Sequence, residues 1–143
     1  MKIGELARKA QCTVETIRYY EKVGLLPSAA RTSANYRSYA VSHVERLRFI
    51  RNCRALDMTH EEIRTLLLLM EQPTSNCDGA NHILEEHIAH VDARIVELSA
   101  LRSRLGELRQ CCQSIQRIDN CGILQGLGSM DAGPLSERHT HLG

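Results

Sequence analysis

One stretch, residues 81–112, constrains what this chain can fold into more than any other part of it. It contains no proline and a single glycine. Apolar residues recur mainly at spacings of three and four, the period of a helix that buries one stripe against a partner helix. They are Leu84, Ile88, Val91, Ile95, Leu98, Leu105 and Cys112, with Arg102 and Arg109 interrupting the stripe. Such a helix is roughly 45–50 Å long at about 1.5 Å per residue, so we expect a second copy of the chain to cover it.

The charge of the chain is unevenly distributed. Residues 1–54 carry 11 Lys and Arg against 4 Asp and Glu, whereas residues 55–143 carry 7 against 13. A basic first part indicates a polyanionic partner, and an acidic second part does not.

The composition also predicts a compartment. The start of the chain has no apolar segment of the secretory kind, and no apolar run approaches the ~20 residues of a membrane span. We therefore expect a cytoplasmic protein without membrane contact, in which thiols stay reduced. The six cysteines then fit metal ligands, reactive thiols or core residues better than disulfides. Cys12 and Cys53 are expected in the core, where free cysteines are common.

Two short helices are predicted near the start, over residues 3–10 and 14–22, with Thr13 capping the second. Ile17 and Tyr20 fall on the buried side of the second helix. Its exposed side carries Glu15, Thr16, Arg18 and Tyr19. The pair forms either a helix-turn-helix, whose second helix enters the major groove of DNA, or an ordinary helical hairpin.

The polar segment after Pro27 predicts a β-hairpin wing. Its residues alternate in the manner of a short strand from Asn35 to Tyr39. Arg37 offers a fork of donors and Tyr36 and Tyr39 offer hydroxyls, which suit phosphate oxygens. The alternative is a solvated loop.

A second helical pair follows, and two capping-box patterns mark its start points. Residues 42–45 predict a helix that ends at about Cys53, and residues 59–62 predict a helix over residues 61–70. Four segments result: a winged helix-turn-helix domain (1–72), the Cys77 loop with the long helix (73–112), a loop with a short helical turn (113–127) and a disordered tail (128–143).

Several motifs in register resemble the MerR-type transcriptional regulators: IGELA, TIRYYE, GLL and NYRSY, followed by HVERLRFIRNCRALDMTHEEI and the long helix. The resemblance covers residues 1 to about 127. It implies a mostly α fold, a winged helix-turn-helix DNA-binding domain with a long antiparallel coiled-coil dimerisation helix and a metal-binding loop. It also implies a regulator rather than an enzyme.

The resemblance implies a set of DNA contacts. Three lie on the groove-facing side of the second helix, three in the wing and one near the second helical pair: Thr16, Arg18, Tyr19, Tyr36, Arg37, Tyr39 and Arg54. A homodimer would hold double-stranded promoter DNA, both free of metal and loaded with it. Activation would come from distortion of the DNA, which acts indirectly on RNA polymerase at the promoter.

The cysteines resemble those of the branch that senses soft divalent metals, and most closely its cadmium- and lead-responsive CadR/PbrR-like subgroup. Cys77 precedes the long helix, and Cys112 and Cys121 flank the loop after it. Within one chain Cys77 and Cys112 are roughly 50 Å apart, so one ion cannot bridge them. An antiparallel pair of helices brings Cys77 of one subunit beside Cys112 and Cys121 of the other, which gives two sites by symmetry.

Three thiolates favour soft ions, with cadmium or lead expected and mercury or zinc as alternatives. Further ligands are considered at Cys111, His87, His139 and His141. Tandem cysteines such as Cys111 and Cys112 also occur in zinc-sensing relatives with a binuclear site, but the loop over residues 113–120 has no histidine. A thiol-redox protein or a metal buffer are the alternatives of a different class.

Overall fold

The computed structural model describes residues 1–133 and is mostly helical, as predicted. Its helices and strands in chain order are α1 (Ile3–Ala10), α2 (Val14–Lys22), β1 (Ala30–Arg31), β2 (Arg37–Ser38), α3 (Val41–Ala55), α4 (His60–Met70), α5 (Asp78–Gln110), a 3₁₀ turn (Ile118–Asn120) and α6 (Gly122–Ser129). The chain divides into two compact units, Met1–Ile83 and a second that begins at Leu84. Within the described residues, no helix is both long enough and apolar enough to cross a membrane.

The first unit is built on one hydrophobic core. Its central side chains come from α1, α2, α3, α4 and the turn after α2: Leu6, Ile17, Leu25, Leu26, Leu47, Ile50 and Ile63. Burying one such side chain contributes about 1.5–3 kcal/mol. Tyr20 also lies in this core, as its position on α2 predicts.

Local sequence signals set the α1–α2 turn. Gln11 adopts a left-handed conformation (φ 54°) that ends α1. The hydroxyl of Thr13 then accepts the N–H of Thr16 at 3.1 Å, which confirms the predicted N-cap of α2. Gly24, two residues after the end of α2, has a left-handed backbone conformation (φ 81°), which glycine adopts without steric strain. A helix-turn-helix pair is therefore present.

The wing is a two-stranded antiparallel hairpin, as predicted. Ala30 pairs with Ser38, and Arg31 pairs with Arg37. The tight turn between the strands uses Asn35 in the left-handed conformation (φ 65°), a conformation that asparagine tolerates better than most residues. The side chain of Arg31 donates to Asn35 Oδ1 at 3.1 Å.

The second helical pair confirms one capping box and corrects the other. Thr59 Oγ1 accepts the N–H of Glu62 at 3.1 Å, and Glu62 Oε1 accepts the N–H of Thr59 at 2.9 Å. The box predicted at residues 42–45 is wrong, because α3 begins at Val41 with Ala40 as its N-cap. His43 Nδ1 accepts the N–H of Ala40 at 3.1 Å and replaces the capping carboxylate.

The long helix is present and begins three residues earlier than predicted. Asn76 Oδ1 accepts the N–H of Asp78 at 3.1 Å at its start. Its 33 residues span about 50 Å. Much of its apolar stripe is exposed in the single chain, including Ile88 and Ile95, each 56% exposed. The helix fits a dimerisation coiled coil.

Helix α6 extends further along the chain than predicted. α6 extends to Ser129, so Gly128 belongs to a helix and not to a disordered tail. A Cβ placed on Gly126 would lie 3.1 Å from Leu108 Cδ2, which shows how closely α6 approaches the last turns of α5. His139 and His141 lie outside the described residues.

Candidate functional site

A cleft of ≈ 620 Å³ in the first unit lies between the start of α1, helix α2 and the wing. It is lined by Lys2, Ile3, Arg18, Tyr36, Arg37 and Tyr39. Four of these six side chains are predicted DNA contacts, and three of the six, Lys2, Arg18 and Arg37, are basic. The sequence did not predict that Lys2 lines this cleft. Its positive charge next to the first residue of α1 could have indicated such a position.

Tyr39 does not have the exposure that a phosphate contact requires. It is 2% exposed, and its hydroxyl donates to Glu21 Oε1 at 2.6 Å. Burial raises the pKa of Tyr39, and the hydrogen bond to Glu21 raises it further. Tyr36, at 70% exposed, is the wing tyrosine that faces solvent. The hydroxyl of Tyr39 is therefore already hydrogen-bonded to Glu21 and its ring lies in the core, and contact of Tyr39 with DNA stays a prediction.

The exposed face of α2 carries the other predicted contacts. Arg18 and Tyr19 are exposed. The ring of Tyr19 lies 5.5 Å from that of His60, centroid to centroid. Thr16 is half-buried, and its hydroxyl lies 2.8 Å from Thr13 Oγ1 as part of the helix cap. Contact of these side chains with DNA stays a prediction.

Arg54 is exposed, and its guanidinium donates to the carbonyl oxygen of Met58 across the turn between α3 and α4. Three other arginines donate to backbone carbonyl oxygens of residues distant in sequence: Arg46 to Leu25 at 2.8 Å, Arg51 to Ala10 at 2.7 Å and Arg64 to Val23 at 2.7 Å. Part of the positive charge of this unit therefore holds its own turns together. The sequence alone indicated only that this basic part of the chain has a polyanionic partner.

The second unit brings together two predicted metal ligands. Cys121 is the N-cap of α6, and its thiol interacts with the side chain of Cys112. The backbone N–H of Leu124 lowers the pKa of the Cys121 thiol most, with further lowering from the N–H of Ile123 and from Cys112. Helix N-termini favour the thiolate, which is the form that binds metal.

The remaining cysteines have different surroundings. Cys111 is exposed, and its thiol lies 3.4 Å from the carbonyl oxygen of Glu107 in the preceding helical turn. Cys77 is exposed in the first unit, where Asn81 Nδ2 lies 3.8 Å from its sulfur. Cys53 is buried and Cys12 packs against the core, as predicted, and burial raises the pKa of both thiols. All six cysteines of the chain lie within the described residues, and none of them forms a disulfide.

His87, which was considered from the sequence as a further metal ligand, is buried. Its ring lies edge-on to that of His90, with centroids 6.4 Å apart. The predicted roles of His87 and Cys111 as additional metal ligands stay predictions.

A winged helix-turn-helix with a basic cleft, followed by a long helix that ends at paired thiols, defines the class of DNA-binding regulators. Two family profiles match the chain: "MerR HTH family regulatory protein" over residues 1–69, and "MerR, DNA binding" over residues 44–108. The chain belongs to the MerR family of helix-turn-helix regulatory proteins.

Individual relatives agree with this placement. A ZntR homolog from Haemophilus influenzae is 50% identical over 110 residues, which are 77% of this chain and 82% of that protein. The structure of PbrR691 from Ralstonia metallidurans in complex with lead(II) is 48% identical with a TM-score of 0.81, over 89% of this chain and 98% of that one. MerR from Bacillus megaterium, solved with mercury(II), is 29% identical with a TM-score of 0.71, over 90% and 100%.

Proposed function

We propose that this protein is a cytoplasmic transcriptional regulator that binds promoter DNA as a homodimer and activates transcription when a soft divalent metal binds. The observation that carries the proposal is the Cys112–Cys121 thiol pair at the start of α6, in a chain whose first unit is a winged helix-turn-helix. The first unit offers hydrogen-bond donors to DNA, and the second offers two thiols that can bind a metal ion. The relatives that bind lead and mercury support the same combination.

The metal site is proposed to be shared between subunits. Cys112 and Cys121 supply two sulfurs, and the partner subunit's Cys77 supplies the third. Because Cys77 precedes α5 and Cys112 follows it, the 33 residues of that helix separate them within one chain. Antiparallel pairing of two long helices removes this separation. The exposed apolar stripe of α5 supports such pairing.

The chemistry of the site favours a large soft ion, of which cadmium and lead are proposed first, over zinc. Thiolates are soft donors, and three sulfurs without a fourth protein ligand suit large soft ions better than zinc, which prefers four ligands. The 48% identity to a protein solved with lead(II) supports this choice. Residues 113–120 contain no histidine that could complete a zinc site.

A zinc-responsive regulator with a binuclear site is the second candidate. Cys111 lies beside Cys112 and is exposed, so it is placed to reach another ion. The 50% identity to a ZntR homolog also supports this candidate. Metal stoichiometry separates the two, since one ion per site is expected for the first candidate and two for the second.

Metal is proposed to act by changing the shape of DNA that stays bound. Distorting the promoter costs about 1–6 kcal/mol by elastic estimates, whereas structural thiolate–zinc sites contribute roughly 10–16 kcal/mol of apparent binding energy. Metal binding can therefore bias the angle between the two DNA-binding heads, and the coupling must be reciprocal. RNA polymerase at the promoter responds to the altered DNA.

The test combines three measurements on the promoter DNA beside the gene for this chain. Gel shifts with and without Cd²⁺ or Pb²⁺ measure affinity, footprinting with a distortion-sensitive probe reports DNA shape, and in vitro transcription reports output. We expect little change in affinity, altered reactivity at the centre of the site and increased transcription. Complete release of DNA on metal addition would contradict activation by distortion, and absence of specific binding would contradict the proposed function itself.

A further inference from the structure

A nearly buried carboxylate, that of Glu21, lies between α2 and the wing. Its side chain is 9% exposed, although it borders the basic cleft. Glu21 Oε1 accepts the hydroxyl proton of Tyr39 at 2.6 Å, and Glu21 Oε2 lies 3.5 Å from Arg37 Nη1. One carboxylate therefore holds two wing side chains, on either side of Ser38.

The negative charge of Glu21 is unfavourable for affinity alone. Phosphate attraction supplies much of the free energy of protein–DNA binding, and the cleft residues Lys2, Arg18 and Arg37 suit that role. A carboxylate beside them opposes the approach of a polyanion. It also partly neutralises Arg37, which is the wing side chain with the best donors for phosphate.

Stability does not explain this arrangement either. The side chain of Arg37 is 54% exposed, and ion pairs in which one partner is this accessible contribute little to folding. The hydroxyl of Tyr39 could be satisfied by any acceptor at this position. The charged group adds direction, because it fixes the guanidinium of Arg37 and the second strand of the wing relative to α2.

We propose that Glu21 is a positioning residue for DNA recognition, which lowers general affinity for DNA and raises the preference for the correct site. It acts through Arg37 and Tyr39 and does not itself touch DNA. The inference rests on the proposed function, since it assumes that the cleft receives DNA. The raised pKa of Tyr39 is consistent with it, because a hydroxyl that stays protonated remains a donor to Glu21.

The test is Glu21→Gln, which keeps an acceptor for Tyr39 and removes the charge that holds Arg37. Glu45→Gln is the matched control, since Glu45 is exposed on α3 and its substitution changes the net charge equally. Binding is measured to the promoter DNA and to a scrambled duplex of equal length and composition. For Glu21→Gln we expect the ratio of specific to non-specific affinity to fall roughly tenfold, about the effect of losing one charge-assisted hydrogen bond that forms only in the correct register. Non-specific affinity is expected to rise. Glu45→Gln should leave the ratio unchanged.

An unchanged ratio would overturn the proposal. With equal tightening on both duplexes, Glu21 would act only through its negative charge, and with equal weakening the substitution would have damaged the fold. Hydrogen–deuterium exchange over residues 30–38 gives a second measurement that needs no DNA. Faster exchange is expected in Glu21→Gln and not in Glu45→Gln, and equal exchange would contradict positioning. If the wild-type protein showed no preference for its promoter, the proposed function would fail while the exchange measurement still decided the role of Glu21.

Discussion

The backbone of Gly122 lies directly against the carbonyl group of Cys111, so that any Cβ at position 122 would overlap that oxygen. Gly122 is the first residue of α6 and follows Cys121. The close approach of these two backbones therefore fixes where the Cys121 thiol meets Cys112.

Gly122→Ala is expected to weaken metal binding by at least about tenfold, since the methyl group must push the start of α6 and its cysteine away. Gly128→Ala is the matched control. It lies in the same helix, and a Cβ there meets nothing within 4 Å. Titration with Cd²⁺, followed by the thiolate–metal absorption band, measures both. Equal affinity in the two variants would show that the contact between Gly122 and Cys111 does not set the site.

Replacing the proposed ligands one at a time tests the composition of the site. Cys77→Ser, Cys112→Ser and Cys121→Ser are each expected to weaken Cd²⁺ binding by more than about a hundredfold, because even groups that only support metal ligands cost 10–100-fold. Cys111→Ser should have a smaller effect, since that thiol faces the carbonyl oxygen of Glu107. Wild-type affinity in Cys77→Ser would remove the shared site.

Arg18→Ala is expected to weaken promoter binding by about tenfold or more, in line with the roughly 1.5–3 kcal/mol of a charged hydrogen bond. The plot of log affinity against log salt should also lose about 0.9 of slope per phosphate contact. Arg8→Ala, on the exposed side of α1, is the control for loss of one positive charge. If Arg18→Ala bound promoter DNA as tightly as Arg8→Ala at equal salt, Arg18 would not be a contact. Metal affinity should be unchanged in both.

His60 predicts a dependence of stability on pH. Burial lowers its pKa, and Arg54 and Arg64 lower it further. Below the unfolded value of about 6.5 the unfolded chain takes up the proton first, so the free energy of unfolding falls as pH falls, until the folded pKa is passed. His60→Gln should therefore reduce the loss of stability between about pH 7 and pH 5. Urea unfolding at several pH values, with a chelator present, measures it; parallel curves for the two proteins would contradict this role.

Features set by neighbouring residues could be predicted from the sequence better than features set by contacts between distant residues. The Thr59 capping box depends on residues three apart, so the sequence shows it directly. The box at residues 42–45 failed because the ring of His43 provides an acceptor that a pattern of Ser and Glu does not represent. In both cases the outcome depends on a few neighbouring residues.

The burial of Tyr39 could not be inferred from its alternation with Arg37. Its partner Glu21 lies 18 positions earlier, and the fold alone brings them together. The same holds for Arg51, which donates to a carbonyl oxygen 41 positions away. The proximity of Cys112 and Cys121 was expected from the resemblance. The position of Cys121 at the N-cap of α6 and the extension of α6 to Ser129 are seen only in the structure.

α6 is a helix that its own sequence hardly supports. It has eight residues, and three of them are glycines. Each glycine disfavours helix by about 1 kcal/mol relative to alanine in a helix interior, and isolated helices shorter than about 12 residues are marginal in water. Its order must therefore come from neighbouring groups, among them Leu108 and the backbone of Cys111, which lie against its glycines. An ion bound to Cys121, at the N-cap position of α6, would raise the free energy needed to unwind the helix. Hydrogen exchange of the α6 amides would therefore report how much of the protein holds metal.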